Sequence, residues 1–457
     1  MLRDWQTPGE ATPSATGVTE RLGVEWRHAD WDRAAAAALG DALTPPPADS
    51  GRRLAAWVDA VDLFLDPLSR QRRALDPALA RLCRLSPAGL AAGLEAVLGG
   101  VAGAHAADAF ASAAAATAAP PATPVLTVLA ANLPALAAQP LLPILALGRP
   151  AVVKSARAEP LFAAAFAAAL VHREPAFERS LAALTWAGGE AAVEEVLIGR
   201  SGRVLAYGGE TAMAALRVTA GGKLVAYGPM TSLAVVGAGA AAGGELAATA
   251  AALARDVALF DQRGCLSVAA VYAEGEDLAG ELAAALGAAL ADLARRWPPG
   301  PATAAEAAAV RQLRDEAAMR ALPRHELALD AGTVVVEPRP VFTPSPGLRT
   351  VRVHPLPSGD GWIEELARQL VPWRGRLQGV AFAGLGAQRE AALRGALTPL
   401  GVSRFAAAGE LQTPDARWHN GGIDPLARLA GPDEAPARGR LRCPKAPAGQ
   451  QAPSVLP

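Results

Sequence analysis

Cysteine is scarce. The 457 residues contain three, Cys83, Cys265 and Cys443, an odd number, widely spaced, with no CxxC pair and no histidine cluster beside them. This argues against a disulfide framework and against a zinc site. Aromatic residues make up 5% of the chain and charged residues 19%. Neither sign of charge dominates: 43 basic side chains face 44 acidic ones, for a formal net charge of −1. Nothing here supplies the one-signed surface that nucleic-acid or membrane binding needs. The most apolar stretch, Val125 to Leu147, is interrupted by Asn132, Pro134, Gln139, Pro140 and Pro143. Those interruptions argue against a membrane span, which needs about 20 consecutive apolar residues. Met1-Leu2-Arg3-Asp4-Trp5 has no apolar signal segment, so the expected location is cytoplasmic.

What is present is alanine and alternation. Hydrophobic residues make up 51% of the chain, many of them alanine, which favours helices while filling little core volume. The length predicts two domains or one large composite. Residues 1–50, rich in Pro and Thr, read as a partly disordered leader or a short lead-in strand and helix. From 51 to 230 the chain opens with helical periodicity, Leu54, Val58, Val61 and Leu65 recurring among charges. It then alternates short apolar strands with helices: strands over 125–130, 151–154, 181–186, 203–207 and 223–227, with helices between them. This pattern predicts βαβ units and a parallel sheet, with ligands beyond the carboxyl ends of the strands. A second α/β block spans 231–401, with strands over 268–272, 333–336 and 350–353. Residues 402–430 are candidates to return to the first block, and 431–457 read as a disordered tail.

The second block holds the most informative segment, Phe260-Asp261-Gln262-Arg263-Gly264-Cys265-Leu266-Ser267. A packing cysteine usually sits inside an apolar periodic segment. Here the thiol occupies a polar, glycine-bearing turn between a helix and a strand, the setting in which nucleophiles are found. An inert loop thiol is the alternative reading.

Three further segments, in order along the chain, join this turn: Ala130-Ala131-Asn132-Leu133-Pro134, Val152-Val153-Lys154-Ser155 and Tyr207-Gly208-Gly209-Glu210-Thr211. Supporting runs are Ala226 to Ser232 and Gly409 to Gly422. Together they resemble the aldehyde dehydrogenase superfamily and, within it, the LuxC-type acyl-CoA reductases, over roughly residues 100 to 430. The resemblance implies an aldehyde-dehydrogenase-like α/β fold of two Rossmann-like domains, with the cofactor bound by 51–230 and the catalytic cysteine carried by 231–401. It implies reduction of an acyl thioester to an aldehyde with NADPH or NADH, NADPH being favoured. The acyl group would arrive on CoA or an acyl-carrier protein, and a homo-oligomer is expected.

Cys265 then aligns with the thiol nucleophile, and Arg263 is a nearby cation of the kind that lowers thiol pKa. Asn132 stands where the superfamily keeps an amide donor for the oxyanion; capping of the helix after Pro134 is the competing reading. Lys154, with Ser155, matches the lysine that contacts the adenosine ribose, against a solvated strand-end lysine. Gly208, Gly209, Glu210 and Thr211 resemble the strand–glycine–helix element for the pyrophosphate, while Glu210 also fits an ordinary helix-start carboxylate. His419 reads as a proton donor or as a turn histidine. No metal is implied.

The chain also departs from the pattern. Ala226-Tyr227-Gly228-Pro229-Met230 carries no glutamate where hydrolytic relatives keep one, which fits reduction rather than aldehyde oxidation. Pro229-Met230 replaces a His-Lys pair, and Trp418-His419-Asn420-Gly421 replaces an HHDG-like run. These changes leave two rivals: an acyl-transfer enzyme without a redox step, and a non-catalytic scaffold.

Overall fold

The computed structural model describes residues 1–9, 11–117, 119–327, 331–359 and 361–433. Cys443 and most of the tail expected over 431–457 lie outside the described residues; of its first three, Asp433 pairs with Arg149 at 2.8 Å. Fourteen strands are described: β1 (Ala15–Arg21), β2 (Val24–Asp30), β3 (Val125–Val128), β4 (Ala151–Lys154), β5 (Leu181–Leu184), β6 (Arg203–Tyr207), β7 (Leu224–Tyr227), β8 (Thr231–Val236), β9 (Val268–Glu274), β10 (Arg324–Glu326), β11 (Thr333–Val336), β12 (Thr350–Leu356), β13 (Leu377–Ala383) and β14 (Arg404–Ala407).

The expected α/β architecture is present as two sheets. The first runs β5-β4-β3-β6-β7 and is parallel throughout. Its strands are almost continuously apolar because helices cover both faces: every residue of β4 and β5 is buried. The second runs β10-β11-β12-β9-β8-β13-β14, parallel except for β10 at one edge. Only Gly228–Met230 separate the two sheets along the chain. In the first sheet the strand order reverses at β3, so a crevice opens beyond the carboxyl ends of β3 and β6.

The helical segment after residue 51 resolves into four helices, Ser50–Leu65, Arg70–Leu82, Pro87–Gly99 and Gly103–Ala116. Asp49, Ser69 and Ser86 cap the first three with side-chain oxygens. By length and composition the stretch 87–116 is apolar enough to cross a membrane. It is broken at 100–102, however, and Leu90, Leu94, Leu98 and Phe110 lie in the core of the first block.

Two boundaries differ from expectation. The described residues among 1–50 form an ordered cover on the first sheet. β1 and β2 form an antiparallel hairpin, Gln6 bridges Ala183 of β5, and the helix Arg33–Ala42 packs Ala36 and Leu39 against Leu197 and Ile198. In β2, Val24 and Trp26 alternate with exposed residues, a two-residue period that the Pro- and Thr-rich surroundings obscure. The second block also continues past 401, since β14 pairs with β13. Of 402–430, the helix Pro425–Ala430 returns to the first block, where Leu429 is buried in its core.

Candidate active site

Cys265 sits on a turn with an unusual backbone. Phe260, Asp261 and Gln262 have φ of +57°, +49° and +63°, three consecutive non-glycine residues in the left-handed region. Such conformations cost about 1–3 kcal/mol each and persist only where the surroundings over-determine them. Here they do. Phe260 is 3% exposed and packs against Gly93, where a Cβ would come within 2.7 Å of its ring. The Asp261 carboxylate accepts from Arg349 Nε at 2.8 Å and from Gly300 N–H at 2.9 Å. Gln262 donates to the carbonyls of Val268 and Thr350 and accepts from Thr350 N–H.

The next residues are held as tightly. Ser232 Oγ donates to the Cys265 carbonyl at 2.8 Å. Ser267 Oγ accepts from Gly264 N–H and donates to Gln412 Oε1 at 2.9 Å. A Cβ on Gly264 would stand 2.9 Å from that same Gln412 oxygen, so the close approach requires glycine.

Asn132 joins this turn from the first sheet. Its Nδ2 donates to the Arg263 carbonyl at 3.1 Å. The helix after Pro134 starts only at Ala138, with no side-chain cap, so Asn132 is not its N-cap. The amide therefore ties the carboxyl end of β3 to the amino end of β9. Truncation of Asn132 to alanine is expected to lower kcat by about 10²–10³ with a nearly unchanged melting temperature. A stability loss with normal turnover would refute an oxyanion role.

Cys265 is half-buried, and burial pushes its thiol up to about 11, while hydrogen bonds from the Cys265 and Leu266 backbone N–H groups act in the opposite direction. The expected help from Arg263 does not materialise. Its guanidinium pairs with Glu306 at 3.1 Å, reaches Asp261 at 3.5 Å and donates to the Arg84 carbonyl. The half-buried Glu306 and the buried Asp261 capture the cation. Carbamidomethylation of Cys265 by iodoacetamide, followed on the Cys265 peptide, should therefore rise about tenfold per pH unit from 7 to 10, and Arg263→Ala should leave this profile unshifted. A plateau near pH 8 would show an activated thiolate instead.

The predicted cofactor residues cluster at the carboxyl ends of β4 and β6. Lys154 is 8% exposed and its Nζ lies 5.1 Å from the Trp186 ring centroid. Burial pulls its ammonium below the usual lysine range, with Glu194 opposing. Ser155 Oγ is buried without a hydrogen-bond partner. Gly209 ends the loop after β6 with open space where a Cβ would stand, and the helix Glu210–Ala220 begins there with no side-chain cap. A buried unpaired cation, an orphaned hydroxyl and uncapped N–H groups beside an open glycine fit an anionic dinucleotide. Glu210 and Thr211 are exposed, and Glu210 pairs with Arg376 of the second block at 3.1 Å.

His419 is not gathered into this site. It is 52% exposed, and its Nε2 lies 3.9 Å from Asp424. Its neighbours Trp418 and Asn420 turn inward instead, lining a mostly apolar cavity of about 50 Å³ together with Leu142, Pro143, Tyr207 and Tyr227.

The two tyrosines were not singled out in the sequence. They end adjacent strands in register and stack with centroids 4.7 Å apart at 19°. Burial raises both phenols, Tyr227 to about 12, and the Cys265 charge adds to the effect on Tyr207. The available signal was their rarity: two of three tyrosines in the chain each close a strand before a glycine.

The fold has known counterparts. The structure is similar to an oxidoreductase from Marinobacter aquaeolei (TM-score 0.69, 14% identity, covering 93% of this chain and 96% of that one). It is also similar to aldehyde dehydrogenase 21 from Physcomitrella patens in complex with succinate (0.68, 14%, 93% and 90%). A putative methylmalonate-semialdehyde dehydrogenase from Sinorhizobium meliloti 1021 complexed with NAD is comparable (0.67, 14%, 94% and 96%). The fold is thus that of the aldehyde dehydrogenases. No curated protein sequence matches the chain. The family model for acyl-CoA reductase (LuxC) matches residues 67–431, and the chain belongs to that family of aldehyde-dehydrogenase-like oxidoreductases.

Proposed function

We propose that this protein reduces an acyl thioester, carried by CoA or an acyl-carrier protein, to an aldehyde at the expense of NADPH, through a thioester on Cys265. The observation that carries this reading is the strained turn that presents the thiol, with Asn132 locked to the same turn. The Cys265 sulfur, once deprotonated, attacks the acyl carbonyl. The C–S bond to the carrier breaks, the carrier thiolate leaves and takes up a proton, and the acyl group stays on Cys265. The Asn132 amide and the Cys265 backbone N–H steady the oxyanion in this exchange. Cysteine suits the exchange because one thioester replaces another of similar energy.

Lys154 and Ser155 would hold the ribose end of the dinucleotide, and the N-terminus of the helix Glu210–Ala220, with Gly208 and Gly209 before it, would hold the pyrophosphate. When bound, the dinucleotide would supply the hydride that converts the acyl thioester to the oxyanion of a thiohemiacetal on Cys265. Cleavage of the carbon–sulfur bond then frees the aldehyde and restores the sulfur.

Few groups around Tyr207, which lies within electrostatic reach of Cys265, could activate water against an acyl-enzyme. Of the residues lining the Tyr207–Tyr227 cavity, only Asp415 is a carboxylate, and it is engaged with Arg417. The raised phenols stay protonated near neutral pH and do not act as bases. To test the reading, acyl-CoA is added without dinucleotide and the intact mass is recorded. An acyl adduct that disappears on addition of NADPH, with release of aldehyde, supports it. Absence of both the adduct and NADPH oxidation across a panel of acyl lengths would sink it.

A further inference from the structure

Of the run Gly409 to Gly422, the side chain that reaches the Cys265 turn is Gln412 rather than His419. Leaving β14, the chain follows the helix Leu246–Ala258 toward that turn. Asp256 of this helix accepts from Gly409 N–H at 2.6 Å and from Leu411 N–H at 3.0 Å. Arg404 donates to the carbonyls of Glu410, Leu411 and Thr413. The backbone on both sides of Gln412 is thus pinned. Gln412, Ser267 and Asp256 are 4%, 4% and 1% exposed.

The hydrogen bonds of Gln412 have a fixed direction. Its Nε2 donates to the carbonyls of Asp256 and Leu259, and a carbonyl can only accept. The amide therefore presents Oε1 to Ser267 Oγ, 2.9 Å away. Ser267 gives its single hydroxyl proton to that oxygen, which leaves a lone pair for Gly264 N–H at 3.2 Å. Gly264 N–H belongs to the Arg263–Gly264 peptide, whose carbonyl accepts from Asn132 Nδ2 at 3.1 Å. One planar peptide unit is held on both sides: by Asn132 from the first block, and by Gln412, through Ser267, from the loop after β14. Asn132 Nδ2 carries two N–H groups. The one given to the Arg263 carbonyl sets the direction of the other.

We infer that Gln412 is a positioning residue for the oxyanion site, an assignment that rests on the role proposed above for Asn132. Through Ser267 it fixes the Arg263–Gly264 peptide, and that peptide aims the Asn132 amide. Small displacements count here, because a donor misplaced by about 1 Å can cost about 10² in rate. The same segment carries Trp418 and Asn420, which line the Tyr207–Tyr227 cavity. One stretch of chain therefore serves both the cavity wall and the oxyanion donor.

Single-turnover acylation by acyl-CoA without dinucleotide, followed by intact mass, tests this role. Ser267→Ala and Gln412→Met should each slow acylation at saturating acyl-CoA by on the order of tenfold. The half-saturating concentration should stay within about twofold of the wild type. Ser267→Ala removes one oxygen and leaves Gln412 on its two carbonyls, so the test survives a Gln412→Met variant that fails to fold. Alkylation of Cys265 by iodoacetamide builds no oxyanion, and its rate in Ser267→Ala should match the wild type from pH 7 to 10. In an Asn132→Ala background, Ser267→Ala should slow acylation by less than about twofold further, since no amide remains to be aimed. Wild-type acylation in Ser267→Ala, or fully additive losses in the double variant, overturns the positioning role. Alkylation slowed as much as acylation also overturns it, by showing a general distortion of the turn. Normal acylation by Asn132→Ala would overturn it and leave the thioester reading intact; a wild type that forms no acyl adduct would bring down both.

Discussion

Replacing Cys265 with alanine is expected to reduce acyl-CoA-dependent NADPH oxidation to background, a loss on the order of 10⁴-fold. No other described thiol can substitute. Cys83 is 6% exposed, and burial raises its pKa well above the ordinary range. The same variant should show no acyl adduct by intact mass and should bind NADPH like the wild type, because the proposed dinucleotide residues stand on the first sheet and the thiol precedes a strand of the second. Cys83→Ala, in contrast, should keep its activity and lose a little stability, since only a small buried side chain is trimmed. Acylation at undiminished rate in Cys265→Ala would remove the thiol from the mechanism. Acylation of the wild type without NADPH oxidation would favour acyl transfer over reduction.

The second large effect is on stability. Asp261 and Arg349 are 2% and 1% exposed, with Arg349 Nη2 2.7 Å from Asp261 Oδ1. Arg349 also donates to the Trp297 carbonyl at 2.8 Å. Removal of Asp261 leaves the Arg349 charge buried without its carboxylate, which costs about 3–5 kcal/mol, whereas removal of Arg349 leaves Asp261 with Arg263 at 3.5 Å. Asp261→Ala should therefore lower the denaturant midpoint sharply, and it also deprives Gly300 N–H of its acceptor. Arg349→Ala should lower it less, because Asp261 keeps Arg263 at 3.5 Å. The double variant should cost less than the sum of the two, because no lone charge remains. The left-handed backbone before Cys265 depends on this anchor, so surviving folded protein should acylate slowly. Single-variant losses below about 1 kcal/mol would show that solvent reaches the pair and that the turn is held by other contacts.

Much of the site was legible because its signals are local. Cys265 announces itself as a thiol in a polar turn, Lys154 as a cation ending an apolar strand, and Gly208-Gly209 as a break between strand and helix. Strands 151–154, 203–207 and 333–336 have the boundaries that apolar runs between turns predict, since a fully buried parallel strand needs no other information. The hairpin over 15–30 was harder to see, because its alternation covers only a few residues and its burial depends on a sheet more than 100 residues away. His419 shows the opposite failure. A polar glycine-rich turn suggested chemistry, but side-chain direction in a turn is set by neighbours such as Asp424, and the inward positions went to Trp418 and Asn420.

Order along the chain was enough to point to the family, to the two α/β blocks and to Cys265 as the candidate nucleophile, because strand hydrophobicity, turn chemistry and a rare thiol are properties of contiguous residues. Tertiary structure alone decided that Asn132 meets the Cys265 turn, that Arg263 serves carboxylates rather than the thiol, that Tyr207 stacks on Tyr227, and that Gln412 reaches Ser267. Each of these pairs residues distant in sequence, and the pairing follows from sheet order and core packing, which no local pattern encodes.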